Sequence, residues 1–174
     1  MNLPPITTVA HPVRGGYLAR PRVRGSRSPD PTGVIMKLTH TPLRLSIGAF
    51  ILNSGLSKRG LEGESAQAVH GMAVGAIPQL KQIEPDRFGK LLSRGEIALG
   101  AALLTPFVPS LLAGAALTAF GAGLVQLYLK TPGMREENSL RPTQAGTGIA
   151  KDVWLVGAGL TLMLDSLTHG RRHR

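Results

Sequence analysis

The chain has no cysteine. Disulfides, iron–sulfur clusters, thiolate zinc sites and thiol redox chemistry within this subunit are therefore excluded. Charge is scarce too: 17% of residues are charged, and only 4% are aromatic. Ten acidic residues face 20 lysines and arginines, for a net charge of +10. That surplus does not form a nucleic-acid footprint, because no Lys/Arg face is interleaved with aromatics. The basic residues sit mostly in the termini and connecting segments, the rim expected of apolar helices flanked by anionic lipid headgroups. The N-terminal residues also lack the apolar core of a secretory signal.

What is present is a long apolar stretch. From Ile97 to Leu129 no side chain carries a charge. A helix of that length would extend roughly 50 Å, against a bilayer hydrocarbon core of about 30 Å. One span cannot use it all, and Thr105-Pro106-Phe107-Val108-Pro109-Ser110 supplies a break, since each proline removes an amide donor and fixes its backbone. The expectation is a membrane hairpin with helices over 87–105 and 110–130. The alternative is a buried helix pair in a soluble protein. Abundant glycine and alanine favour the membrane reading, because small residues let helices approach closely where lipid supplies no hydrophobic drive.

Two further spans are expected, over 42–58 and 149–167. Pro42 suits a helix start, and Arg44 and Lys58 lie near opposite ends of the first segment, where basic chains reach headgroups. Residues 61–90 are polar-flanked with a mildly apolar centre broken by Gly71, Gly75 and Pro78, which fits an interfacial helical segment rather than a span. Thr131 to Gly148 reads as a loop. The expected fold is all-α: an integral membrane four-helix bundle with a peripheral interfacial segment, multi-pass in the cell membrane, with both ends of residues 36–170 on one side. Residues 1–35 are proline-rich and lack an apolar period. They read either as a disordered tail or as sequence upstream of a true start at Met36.

This connectivity brings certain polar residues to one depth. Lys58 ends the first span, Glu96 lies early in the second, and Lys151 and Asp152 begin the last. Ionisable groups within spans are costly and usually turn inward and pair, so Lys58, Glu96, Lys151 and Asp152 form a candidate intramembrane polar cluster. The plainer alternative is that the lysines reach headgroups and Glu96 pairs with a neighbour such as Arg94. At the opposite end, Arg44 and Asp165 lie at similar depth and are expected to form a structural ion pair locking the first span to the last. The five histidines are scattered, with no metal site among them. No nucleophile sits beside a base, so no catalytic residue is assigned.

Arg44, Leu45, Gly48, Phe50, Gly55 and Lys58, followed by a long loop and by Glu96 and Gly100 opening an apolar hairpin, form a pattern that resembles the DoxX-like family of small four-helix bacterial membrane proteins. The Lys151-Asp152 start of a last helix of small and apolar residues is similar as well, and the likeness covers Leu43 to Leu167. The resemblance implies a membrane subunit associated with redox work. Founding members are linked to thiosulfate:quinone oxidoreduction, and others to enzymes handling oxidative and thiol stress. The implied partners are the lipid bilayer and an oxidoreductase subunit, with quinone as the implied ligand and self-association left open. Two other functions stay open: a non-catalytic scaffold or assembly protein, and a small transporter using Asn53 at the midplane.

Overall fold

Proline and glycine punctuate this chain where its helices begin and break. A computed structural model describes residues 38–170, all of which fall in one compact unit, Thr32–Arg174. The tail over 1–35 lies outside the described residues. A 3-10 turn, Leu38–His40, leads into α1 (Thr41–Ser57), with Pro42 in its first turn. After a tight turn come α2 (Gly63–Ala76) and a 3-10 turn, Pro78–Gln82. Pro85 starts α3 (Pro85–Leu104), and Pro109 immediately precedes α4 (Ser110–Lys130). The short α5 (Thr147–Ala150) precedes α6 (Val153–Gly170). Among the described residues the secondary structure is helical, with one isolated bridge, Arg135 to Pro142, in the loop before α5.

Four helices are long, and they pair antiparallel. Gly48 of α1 lies against Leu103 of α3 while Gly55 lies against Glu96 and Ile97, so the two helices run in opposite directions. In the same way Gly114 of α4 meets Gly159 and Leu162 of α6, and Gly121 meets Leu155 and Val156. Both pairs place glycines seven apart on one helix against the facing helix. One buried apolar cluster joins them: Ile51 from α1, Leu99 and Leu103 from α3, Ala113 and Leu117 from α4, and Leu155 and Leu162 from α6. α3 and α4 touch each other far less than either touches its own partner, which leaves space between the pairs.

α2 was expected to be peripheral, yet it closes that space at one end. It packs on α3 and α4, burying Ala66 and Ala76 completely, and Gln126 and Lys130 of α4 both donate hydrogen bonds to the Ala76 carbonyl at 3.0 Å. Those donors satisfy a carbonyl at the α2 C-terminus that no intrahelical amide reaches. His70 Nε2 lies 3.0 Å from the Leu80 carbonyl and its ring contacts Phe88, fastening α2 to the turn that follows it. The last expected span, 149–167, is broken near its start into α5 and α6. The chain turns at Lys151 and Asp152, so both residues precede α6 instead of occupying its first turn.

Two segments, Ser110–Lys130 and Thr147–Thr168, are long and apolar enough to cross a membrane.

The close approach of α4 and α6 gives a stability prediction. A Cβ added to Gly159 would lie 2.7 Å from the Gly114 carbonyl oxygen, and backbone cannot yield there, whereas Gly157 faces open space. Gly159→Ala should therefore cost roughly 1–2 kcal/mol, the usual cost of overpacking, while Gly157→Ala should be neutral or stabilising through its better helix propensity. Thermal unfolding of the two variants in detergent tests this. Equal melting temperatures would mean that the α4–α6 contact is looser than described.

Candidate functional site

The space between the helix pairs is a cavity of about 470 Å³. Its walls come from every helix: Phe50 and Ile51 of α1, Val69 and Ala73 of α2, Phe88 and Leu92 of α3, Phe120 and Leu127 of α4, Gly148 of α5 and Leu155 of α6. The lining is predominantly apolar, but Ser54, Lys58, Glu96 and Asp152 also face it. An apolar chamber of several hundred cubic ångströms with a few convergent polar groups is the usual form of a small-molecule site.

The polar wall is built around Glu96, which is only 5% exposed. Gly55 on α1 lets α3 come close enough to place it there; a Cβ at that position would lie 2.9 Å from Glu96 Cβ. Ser93, one turn earlier on α3, donates a 2.8 Å hydrogen bond to the Gly55 carbonyl and fixes the register. Lys58, just past the end of α1, then donates to Glu96 Oε2 at 2.8 Å and to Ser54 Oγ at 2.6 Å. Its side chain is 28% exposed, so the pair joins a buried carboxylate to an ammonium that still reaches the surface. Ser54 was not anticipated as part of this site. Its position one helical turn before Lys58 is the signal that would have found it.

The other two members of the expected cluster separate. Asp152 is partly buried and lines the cavity, and no hydrogen bond or ion pair to its carboxylate occurs among the described residues. Lys151 is exposed and lies outside the cavity lining, because the turn before α6 sends adjacent residues in different directions. The cavity therefore carries one ammonium and two carboxylates. Asn53, the residue that a transport path would have used, is exposed and does not line it.

At the opposite end, the expected Arg44–Asp165 ion pair is replaced by a longer network. Arg44 is completely buried and directs its donors to backbone: Nε to the Leu103 carbonyl at 2.8 Å, Nη2 to Ala102 at 2.8 Å and Thr105 at 2.9 Å, and Nη1 to Val108 at 3.1 Å. Nη1 also reaches Ser110 Oγ at 3.2 Å. The physical reason is the orphan carbonyls at the end of α3 and in the proline turn, which a forked guanidinium can meet in one plane. Asp165 pairs with His40 Nε2 at 3.0 Å, and His40 Nδ1 lies 3.4 Å from Ser110 Oγ. Arg44 and Asp165 thus share one network through His40 and Ser110 without touching.

No protein-family model, curated protein or solved structure matches this chain.

Proposed function

We propose that this is a multi-pass membrane protein, a four-helix bundle of α1, α3, α4 and α6, whose cavity holds the flat ring of a lipid-soluble ligand that carries polar atoms at its edge. Two features support insertion. α4 and the segment Thr147–Thr168, which spans α5 and most of α6, pass the length and apolarity requirements of spans, yet only 22% and 17% of their apolar windows are buried. Large apolar side chains such as Phe107, Leu112, Trp154 and Leu164 face outward, an exposure that lipid tolerates and water does not. The observation that carries the ligand reading is the apolar cavity with the Lys58–Glu96 pair in its wall.

Of the functions open at the outset, a DoxX-like redox-associated subunit suits this cavity best. Quinone, the ligand implied by that resemblance, has a flat apolar ring with carbonyl oxygens at its edge. The walls accept the ring, and the Lys58 ammonium is the donor for a carbonyl oxygen. A cation held beside that oxygen would stabilise negative charge developing on it, with Glu96 and Ser54 orienting Lys58. An oxidoreductase partner supplies the electrons. A second reading, carriage of a lipophilic cation, draws on the Asp152 carboxylate, which has no partner among the described residues, and on the two carboxylates against one ammonium in the cavity.

Titration of the protein in lipid nanodiscs with a short-tailed quinone should give saturable binding. Lys58→Met should weaken it about tenfold, equivalent to about 1.4 kcal/mol. Binding of a tetraalkylammonium probe that is lost in Asp152→Asn, with no quinone binding, would replace the first reading by the second. Binding of neither would leave the scaffold function.

A further inference from the structure

A second groove lies on the face of α3 opposite the cavity wall. Lys90, Arg94, Ile97, Ala98 and Ala101 follow one another there at helical spacing, and Arg59 from the turn after α1 joins them. Together with Ser93 they line an open groove of about 580 Å³. Its two halves differ in chemistry. Toward the start of α3 it is cationic, and toward the helix centre it is walled by Ile97, Ala98 and Ala101. The stretch from Lys90 to Ala101 covers about 16 Å along the axis.

Two of the three charges on this groove, those of Arg59 and Arg94, have no countercharge among the described residues. No acidic residue lines it. Lys90 pairs with Glu62 at 3.1 Å, in a contact where both side chains are more than half exposed, at 52% and 57%. The guanidinium groups of Arg59 and Arg94 make no ion pair or hydrogen bond among the described residues. Planar fork donors of this kind match phosphate oxygens two at a time. Below them, Ala98 and Ala101 leave room along the helix that larger side chains would fill.

We propose that this groove binds an anionic phospholipid, with its phosphate between Arg59 and Arg94 and one acyl chain along Ile97, Ala98 and Ala101. The inference rests on the membrane reading of the helices and is independent of the ligand in the cavity. Cationic residues beside an apolar helix face at one membrane depth are the arrangement that retains anionic lipid. A neutral lipid gains nothing from the two guanidinium groups.

Native mass spectrometry of the full chain, released from nanodiscs of mixed phosphatidylglycerol and phosphatidylcholine, tests the site. The wild type should retain phosphatidylglycerol preferentially. Arg59→Gln and Arg94→Gln should each lower that retention roughly fivefold, while Arg141→Gln, an exposed loop control, should not. Ala101→Phe should lower retention with the charge unchanged, and inorganic phosphate in excess should fail to displace the lipid. Equal retention in the two arginine variants and the wild type would overturn the site, as would displacement by inorganic phosphate or an ineffective Ala101→Phe. A chain that floats with neither neutral nor anionic vesicles would overturn the membrane reading as well. One that floats with both and shows no lipid preference would overturn this site alone.

Discussion

Replacing Arg44 with methionine should destabilise the protein more than any other single change to a side chain outside the cavity. The methionine keeps much of the apolar stem but removes every donor. Four carbonyls, of Ala102, Leu103, Thr105 and Val108, then lose the hydrogen bonds they receive from the guanidinium. Hydrogen bonds involving a charged partner contribute about 1.5–3 kcal/mol each, and a buried acceptor left without one costs about 1–3 kcal/mol. Water entering at the helix ends would recover part of this, so the expected loss is on the order of 4 kcal/mol. Lysine should rescue only partly, since one ammonium cannot reach acceptors spread over the end of α3 and the proline turn. Unfolding in mixed micelles titrated with SDS, followed by circular dichroism, measures the loss. An Arg44→Met variant within about 1 kcal/mol of wild type would mean that the carbonyls find other donors.

The role of Arg44 was not legible in the sequence, and the reason is general. Sequence placed a basic residue near the start of the first helix, where the plainest partner is an acid at the same depth on another helix. Backbone acceptors leave no mark in a sequence, because every residue has a carbonyl. Whether it is orphaned depends on where a helix ends and which side chain arrives. His40 and Ser110 escaped notice similarly, since their network joins three segments far apart in the chain. The hairpin, by contrast, was plain. An uncharged run and two prolines fixed the positions of α3 and α4 closely, because both signals are local. Lys58 and Glu96 were legible through the rule that ionisable groups among apolar helices turn inward and pair. Lys151 failed the same test for want of one detail, the turn that delays α6 until Val153. The cavity itself was invisible, since it exists only through the loose contact between the two helix pairs.

Glu96→Gln should be the most damaging change at the cavity. It leaves the Lys58 ammonium without its countercharge while keeping the side chain's volume, so packing contributes little to the effect. Breaking a buried pair from one side costs about 3–5 kcal/mol where both groups are buried. Lys58 is 28% exposed, so water relieves part of that cost, and a loss of roughly 2–3 kcal/mol is expected. Glu62→Gln removes a carboxylate from an exposed pair with Lys90 and should change stability by no more than about 0.5 kcal/mol. The sharper test is the double variant. Adding Lys58→Met to Glu96→Gln removes the stranded charge and places an apolar chain against an apolar wall, so about half of the lost stability should return. Additive losses would mean that the two groups are not coupled despite their 2.8 Å separation, and that Glu96 is held by its surroundings on α3. Recovery of stability without recovery of quinone binding would separate the two roles of the pair: it holds α1 to α3, and it also presents a cation to the cavity that methionine cannot replace.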